Sequence, residues 1–129
     1  MITIAITGGR DFDDKKFVWK CLDYLHKKST IAFIIAGDAR GADANALAWA
    51  KARDVPFKCF KADWELHGKA AGAVRNTEMV KYGLENGING LVAFPGGRGT
   101  LNMKNQCRHK GIKIWEPKYE VPDLSRCTN

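Results

Sequence analysis

The sequence predicts an α/β protein of three layers, in which a five-stranded parallel sheet lies between helices. Two observations predict this fold. Short apolar segments rich in β-branched residues alternate along the chain with segments whose apolar residues recur at helical spacing. Glycine-rich turns follow several of the apolar segments directly. Because parallel neighbours in a sheet need a crossover that a helix can supply, the alternation indicates a parallel sheet.

The first strand is expected from Ile2 to Ile6, where the residues are apolar and mostly β-branched, as in a strand buried on both faces. Four later segments share this character, and they are expected at 31–36, 55–60, 90–94 and 112–115. No internal repeat or interdomain linker interrupts the pattern. The 129 residues therefore predict one domain over 1–116, followed by a C-terminal tail over 117–129.

The first two predicted helices follow the first two strands. Asp13 or Asp14 is expected to cap the first helix, because a side-chain oxygen there can accept a hydrogen bond from a free amide of the first turn. The second helix begins near Asp43 and is rich in alanine. Small residues would allow that helix to lie close to the sheet.

Residues 61–72 are predicted to form a long polar loop before the third helix. The fourth helix is expected from about Leu101 to His109. The apolar face of the third helix is predicted from helical spacing to consist of Val74, Thr77, Val80 and Leu84.

The predicted strand order is 3-2-1-4-5, the doubly wound order of a Rossmann-like sheet. Crossovers between parallel strands are right-handed almost without exception, which leaves few topologies. In this order the first and fourth strands are neighbours and the winding reverses between them. Ligands of such sheets bind at the carboxyl ends of the strands at that reversal.

The composition favours anionic partners. The formal net charge is +7, spread along the chain, and 45% of the residues are hydrophobic. No apolar run approaches the ~20 residues that cross a bilayer, and the N-terminus lacks a basic leader. A cytoplasmic protein with no membrane partner is therefore expected. The four cysteines form no CxxC pair, so no metal site and no cofactor are predicted.

The loops after the first, second and fourth strands each combine glycine with arginine. Glycine lets the backbone approach an anion closely, and the free amides of a following helix favour phosphate. Each loop alone could be an ordinary turn, but three at one edge of a sheet predict a phosphate site. The chain has neither GxGxxG nor GxxxxGK[ST]. The residues predicted to bind ligand are Gly8, Gly9, Arg10, Asp11, Gly37, Arg40, Gly41, Asp43, Gly96, Gly97, Arg98, Gly99 and Thr100.

Five motifs in order carry a resemblance to a known family: TGGRDF at 7–12, GDARGAD at 37–43, ADWxxHGxxAG at 62–72, RNxxM at 75–79 and FPGGRGT at 94–100. The sequence resembles the YspA-type, cpYpsA-related family of the SLOG superfamily, which also contains the LONELY GUY, lysine-decarboxylase-like nucleotide phosphoribohydrolases. The resemblance implies that 1–116 is a SLOG-type, nucleotide-binding domain. The implied ligand is a nucleotide or an NAD-derived nucleotide, for example of ADP-ribose type.

Similar phosphoribohydrolases carry an R[KN]xxM helix together with PGGxGTxxE. Arg75 and Asn76 match the first element, so the resemblance adds both to the binding residues and gives Arg75 a catalytic role if the chain is an enzyme. The second element departs at Met103, which occupies the position of the catalytic glutamate. A thioether cannot donate a proton as a carboxylic acid can. Whether another carboxylate on this edge replaces the glutamate stays open, the candidates being Asp11, Asp38, Asp43 and Asp63.

The leading expectation is a module that binds or senses a nucleotide-type small molecule. The alternatives are a nucleoside-monophosphate phosphoribohydrolase, a single-stranded nucleic-acid binder, and a molybdenum-cofactor carrier of the sort found elsewhere in the superfamily. Trp64 and His67 could cover an adenine or ribose, or only close a loop over the core. A homodimer is expected from the dimeric state of similar phosphoribohydrolases, with Trp19, Trp49 and Tyr82 as candidate interface residues.

Overall fold

A computed structural model of the chain describes residues 1–119. The strands are β1 (Ile2–Thr7), β2 (Ile31–Gly37), β3 (Phe57–Phe60), β4 (Gly90–Ala93) and β5 (Ile114–Trp115). The helices are α1 (Lys15–Lys28), α2 (Ala42–Ala52), α3 (Trp64–His67), α4 (Ala71–Glu85) and α5 (Arg98–His109). A short 3₁₀ turn, Gly68–Ala70, joins α3 to α4.

The five strands form one parallel sheet in the order β3-β2-β1-β4-β5, which confirms the predicted topology. Thr7 at the end of β1 pairs with Ala93 at the end of β4. Gly37 at the end of β2 pairs with Phe60 of β3. The loops that follow these strands therefore leave the sheet along one edge.

Alternate residues of the central strands supply two cores, one on each face of the sheet. Ile4 and Ile6 belong to the cluster that includes residues of α1 and α2. Ala5 belongs to the opposite cluster, which includes residues of α4 and α5. This arrangement explains why β1 is apolar at successive positions, since both of its faces are covered.

The third helix predicted from the sequence corresponds to α4, and its predicted apolar face is wrong. Leu84 is 47% exposed and Thr77 is also exposed, although Val80 is buried as expected. The face of α4 that packs inward carries Ala71, Asn76, Met79, Val80 and Gly83. Apolar periodicity missed this face because one of its members is the polar Asn76.

The segment 61–72 is more ordered than the predicted loop. Asp63 caps α3 by accepting a hydrogen bond from the amide of Leu66, at 3.0 Å. An N-cap side chain bonds to an amide only three residues further along the chain, so Asp63 was a sequence signal for the start of α3. Asp14, one of the two predicted caps, accepts a hydrogen bond from the amide of Phe17 at the start of α1.

Trp49 is not available as an interface residue. It is fully buried, and its indole Nε1 donates a hydrogen bond to Asp23 Oδ1 at 2.8 Å. Trp19 and Tyr82 are half-buried, and each lies beside a basic side chain: Lys15 Nζ is 4.6 Å from the Trp19 ring and Lys58 Nζ is 4.8 Å from the Tyr82 ring.

The start of the predicted tail packs on the domain. The Tyr119 hydroxyl donates a hydrogen bond to Asp14 Oδ2 at 2.8 Å, and its ring lies 4.8 Å from both Phe12 and Phe17. The rest of that tail, 120–129, including Cys127, lies outside the described residues. Within 1–119, no helix is long and apolar enough to cross a bilayer, and no three His, Cys, Asp or Glu side chains converge as metal ligands. Burial raises the pKa of the free thiols Cys21 and Cys107 to about 11.

Candidate functional site

A cleft of about 840 Å³ opens at the carboxyl edge of the sheet, where β1 and β4 are neighbours. It is bounded by the loops after β1, β2 and β4 and by the first turns of α4. Apart from Arg40 and Gly41, every predicted binding residue lines it: Gly8, Gly9, Arg10, Asp11, Gly37, Asp43, Arg75, Asn76, Gly96, Gly97, Arg98, Gly99 and Thr100.

The loops after β1 and β4 pack directly against each other. The amide of Gly9 donates a hydrogen bond to the carbonyl of Pro95 at 2.8 Å. A Cβ atom on Gly96 would lie 2.6 Å from the nitrogen of Gly9 and would collide with the Thr100 side chain. The two backbones therefore meet only because position 96 has no side chain.

The first turn of α5 points free donors into the cleft. The helix begins at Arg98, three residues earlier than the sequence predicted, and its N-cap Gly97 makes no side-chain capping bond. The amides of Arg98, Gly99 and Thr100 consequently lack partners within the helix. A helix start with free amides and a positive dipole end attracts anions.

Asp43 lies at the floor of the cleft and is only 5% exposed. Asp43 is the second residue of α2 and does not cap it, because the N-cap is Gly41 and no side chain caps that helix. Instead, Asp43 Oδ2 accepts a hydrogen bond from the amide of Ala39 at 3.3 Å. Burial raises the pKa of Asp43 to about 6, although the positive charge of Arg75 opposes that rise.

Arg75 lies beside two carboxylates. Its Nη1 is 3.1 Å from Asp38 Oδ1, and its side chain is 13% exposed. A Cβ atom on Gly37 would be 2.5 Å from Arg75 Nη1 and 2.8 Å from Asp43 Oδ2, so both groups reach the end of β2. The guanidinium is thus held at the cleft floor before any ligand arrives.

Asn76 connects Arg75 to the start of α5. Its Oδ1 accepts from Arg75 Nε at 3.2 Å, and its Nδ2 donates to the carbonyl of Gly99 at 3.2 Å and to Asn102 Oδ1 at 3.1 Å. The side chain is nearly inaccessible, since the residue is 4% exposed. Asn76 therefore holds the Arg75 side chain and the first turn of α5 in position relative to each other.

Arg10 and Arg98 are two arginines of the cleft whose charges are uncompensated. Both are exposed and line it, and neither forms an ion pair with another residue of 1–119. Arg40 lies outside the cleft and pairs with Asp11 at 2.9 Å.

Gly41 is also outside the cleft, where it serves the packing of α2. It is buried with φ +79°, a backbone conformation that favours glycine, and a Cβ there would lie 2.5 Å from the carbonyl oxygens of Gly9 and Arg10. Position 41 thereby lets the start of α2 approach the loop after β1.

The cleft is also lined by Phe12, Lys69 and Asn102, which were not predicted, and by Trp64, which the sequence offered as a cover for an adenine or ribose. Trp64 is 52% exposed, and its ring edge would lie 3.9 Å from a Cβ on Gly72. Its aromatic side chain in a polar segment was the available signal. Asn102 could not be identified from the sequence, because it reaches the cleft only through the packing of α5 on α4.

Met103, at the position of the glutamate in similar phosphoribohydrolases, belongs to the core. It is fully buried in the cluster that holds Met79 and Cys107, and it does not line the cleft. Met79 is also a core residue, and it contributes to the cleft wall as well.

The parallel sheet and the glycine-lined cleft at its topological switch point define a Rossmann-like α/β protein. A model of the YspA, cpYpsA-related SLOG family matches residues 2–67. The chain is also 38% identical over 122 residues to the Gene 61 protein of Mycobacterium phage D29, a match that covers 88% of this chain and 94% of that relative. The chain therefore belongs to the YspA, cpYpsA-related SLOG family, as its motifs predicted. Membership associates it with nucleotide-related binding or processing.

Proposed function

We propose that the chain binds a phosphate-bearing nucleotide derivative in this cleft, as a binding or sensing module. The observation that carries the proposal is that two arginines without ion-pair partners in 1–119, Arg10 and Arg98, line the same cleft as the uncapped start of α5. Guanidinium groups and free helix amides are the donors that phosphate prefers in proteins.

The remainder of the cleft fits the rest of a nucleotide. Its volume of about 840 Å³ lies within the range of small-molecule sites, roughly 300–1,000 Å³. Asp43 can accept hydrogen bonds from ribose hydroxyls, since within residues 1–119 its carboxylate accepts a hydrogen bond from the amide of Ala39 alone. Trp64 presents a half-exposed aromatic surface on which a base can stack.

The test is the affinity of Arg98→Ala for AMP and ADP-ribose, measured by isothermal titration calorimetry. A charge-assisted hydrogen bond is worth ~1.5–3 kcal/mol, so the substitution should weaken binding by roughly 10- to 100-fold. Arg98→Lys should restore only part of the loss, because an ammonium cannot make the paired contact.

Arg108→Ala is the matched control. It removes the same charge from the other end of α5, outside the cleft, and should leave the affinity unchanged. Adenosine, which lacks phosphate, should bind natural protein and Arg98→Ala equally. Unchanged affinity of Arg98→Ala for both nucleotides would show that the site is elsewhere.

The burial and the raised pKa of Asp43 support a second candidate function, the hydrolysis of an N-glycosidic bond. A carboxyl group in the cleft with a pKa of about 6 is partly protonated near neutral pH and can donate a proton to a leaving base. Excess protein incubated with AMP should then release adenine, detected by chromatography, and Asp43→Asn should release none. Absence of adenine from the natural protein, with AMP shown to bind, would restrict the function to binding.

A further inference from the structure

A second recess of about 250 Å³ adjoins the main cleft on the side of β2. Its lining contains three guanidinium groups, one carboxylate and one aromatic ring, and consists of Arg10, Asp38, Ala39, Arg40, Trp64 and Arg75. Four of these residues, Arg10, Ala39, Trp64 and Arg75, line the main cleft as well. The two spaces therefore lie side by side and share these residues as walls.

The charges of the recess are incompletely balanced. Arg75 is paired with Asp38 at 3.1 Å, and Arg40 is paired with Asp11 at 2.9 Å. Arg10 has no ion-pair partner among residues 1–119. The Arg40 and Asp11 side chains are 74% and 86% exposed, so water screens their pair and an anion can replace the carboxylate at little cost.

We infer that this recess is a second anion subsite, so that the preferred ligand carries two adjacent anionic groups, as a nucleoside diphosphate does. The inference rests on the proposed function. One phosphate lies at the first turn of α5 beside Arg98, and the other lies in the recess against Arg40. Arg10 lines both spaces and contacts both phosphates. A monophosphate fills only the first position.

The geometry also assigns different roles to the arginines. Arg98 lines the main cleft and not the recess, whereas Arg40 lines the recess and not the main cleft. Substitution of Arg98 therefore acts on any phosphorylated ligand, while substitution of Arg40 acts only on a ligand with a second anionic group. Because Arg40 is exposed and its ion pair is solvated, its replacement should leave the fold intact.

The experiment measures the dissociation constants of AMP and ADP by calorimetry for the natural protein, Arg40→Ala, Arg98→Ala and the control Arg108→Ala. The natural protein should bind ADP about tenfold more tightly than AMP, the gain of one charge-assisted contact. Arg40→Ala should abolish that preference and leave AMP binding within about twofold of the natural value. Arg108→Ala should change neither constant.

The outcomes separate the two proposals. Equal affinity of the natural protein for AMP and ADP overturns the second subsite, as does an Arg40→Ala protein that keeps the full preference for ADP. An equal loss for both nucleotides in Arg40→Ala overturns it too, since Arg40 would then act on the first phosphate. If Arg98→Ala binds AMP and ADP as tightly as the natural protein, the proposed function itself fails.

Discussion

Asp43→Asn should stabilise the fold at neutral pH. The pKa of this carboxyl rises from its ordinary value of 3.8 to about 6 on folding, chiefly because of burial. An acid whose pKa is raised in the folded state destabilises that state once it ionises. The penalty is absent below pH 3.8, grows as the pH rises from 3.8 to 6, and levels off at about 3 kcal/mol above pH 6, from 1.36 kcal/mol for each pH unit between the two values.

An amide removes this penalty while keeping an oxygen that can accept from Ala39. Thermal unfolding followed by circular dichroism from pH 4 to pH 8 should show Asp43→Asn and the natural protein melting together at the acid end. At the neutral end the variant should melt higher by about 10 °C, since 1 kcal/mol corresponds to a few degrees for a domain of this size. The same variant should bind nucleotide more weakly if Asp43 accepts from ribose.

Asp23→Asn is the control of opposite sign. Hydrogen bonds from Arg53 and Trp49 lower the pKa of Asp23, so its ionised form stabilises the fold and the substitution should cost stability at neutral pH. That loss should shrink as the pH falls and Asp23 of the natural protein becomes protonated. A difference in melting temperature between Asp43→Asn and the natural protein that does not grow with pH would refute the argument that burial governs Asp43.

Two further predictions concern the core and the assembly. Met103→Glu should lower the free energy of unfolding, measured in a denaturant titration, by several kcal/mol, because it places a carboxylate in the core rather than in the cleft. The control Leu101→Glu, at a position 51% exposed, should unfold like the natural protein. Equal stability of the two variants would contradict the burial of Met103. The predicted homodimer should have about twice the 14.3 kDa mass of the chain by light scattering at micromolar concentration, and a mass near 14.3 kDa would refute it.

Much of the site could be predicted from the sequence because glycine-rich turns after parallel strands reach the same edge wherever the helices lie. Loops from positions 8, 37 and 96 could therefore be placed together before any packing was known. The residues that sequence analysis misjudged depend instead on contacts between distant segments. Asn76 was absent from the predicted inner face of its helix because its polar group is satisfied by Gly99 and Asn102, more than 20 residues away.

The sequence by itself determined the parallel sheet, its strand order and the edge that carries the glycine–arginine loops, since periodicity and turn chemistry are local properties that right-handed crossovers assemble in few ways. Only the tertiary structure decided which polar groups are buried. It placed Trp49 in the core and removed Met103 from the cleft. It also raised the pKa of Asp43, because desolvation depends on everything that packs around a group and not on its neighbours in the chain.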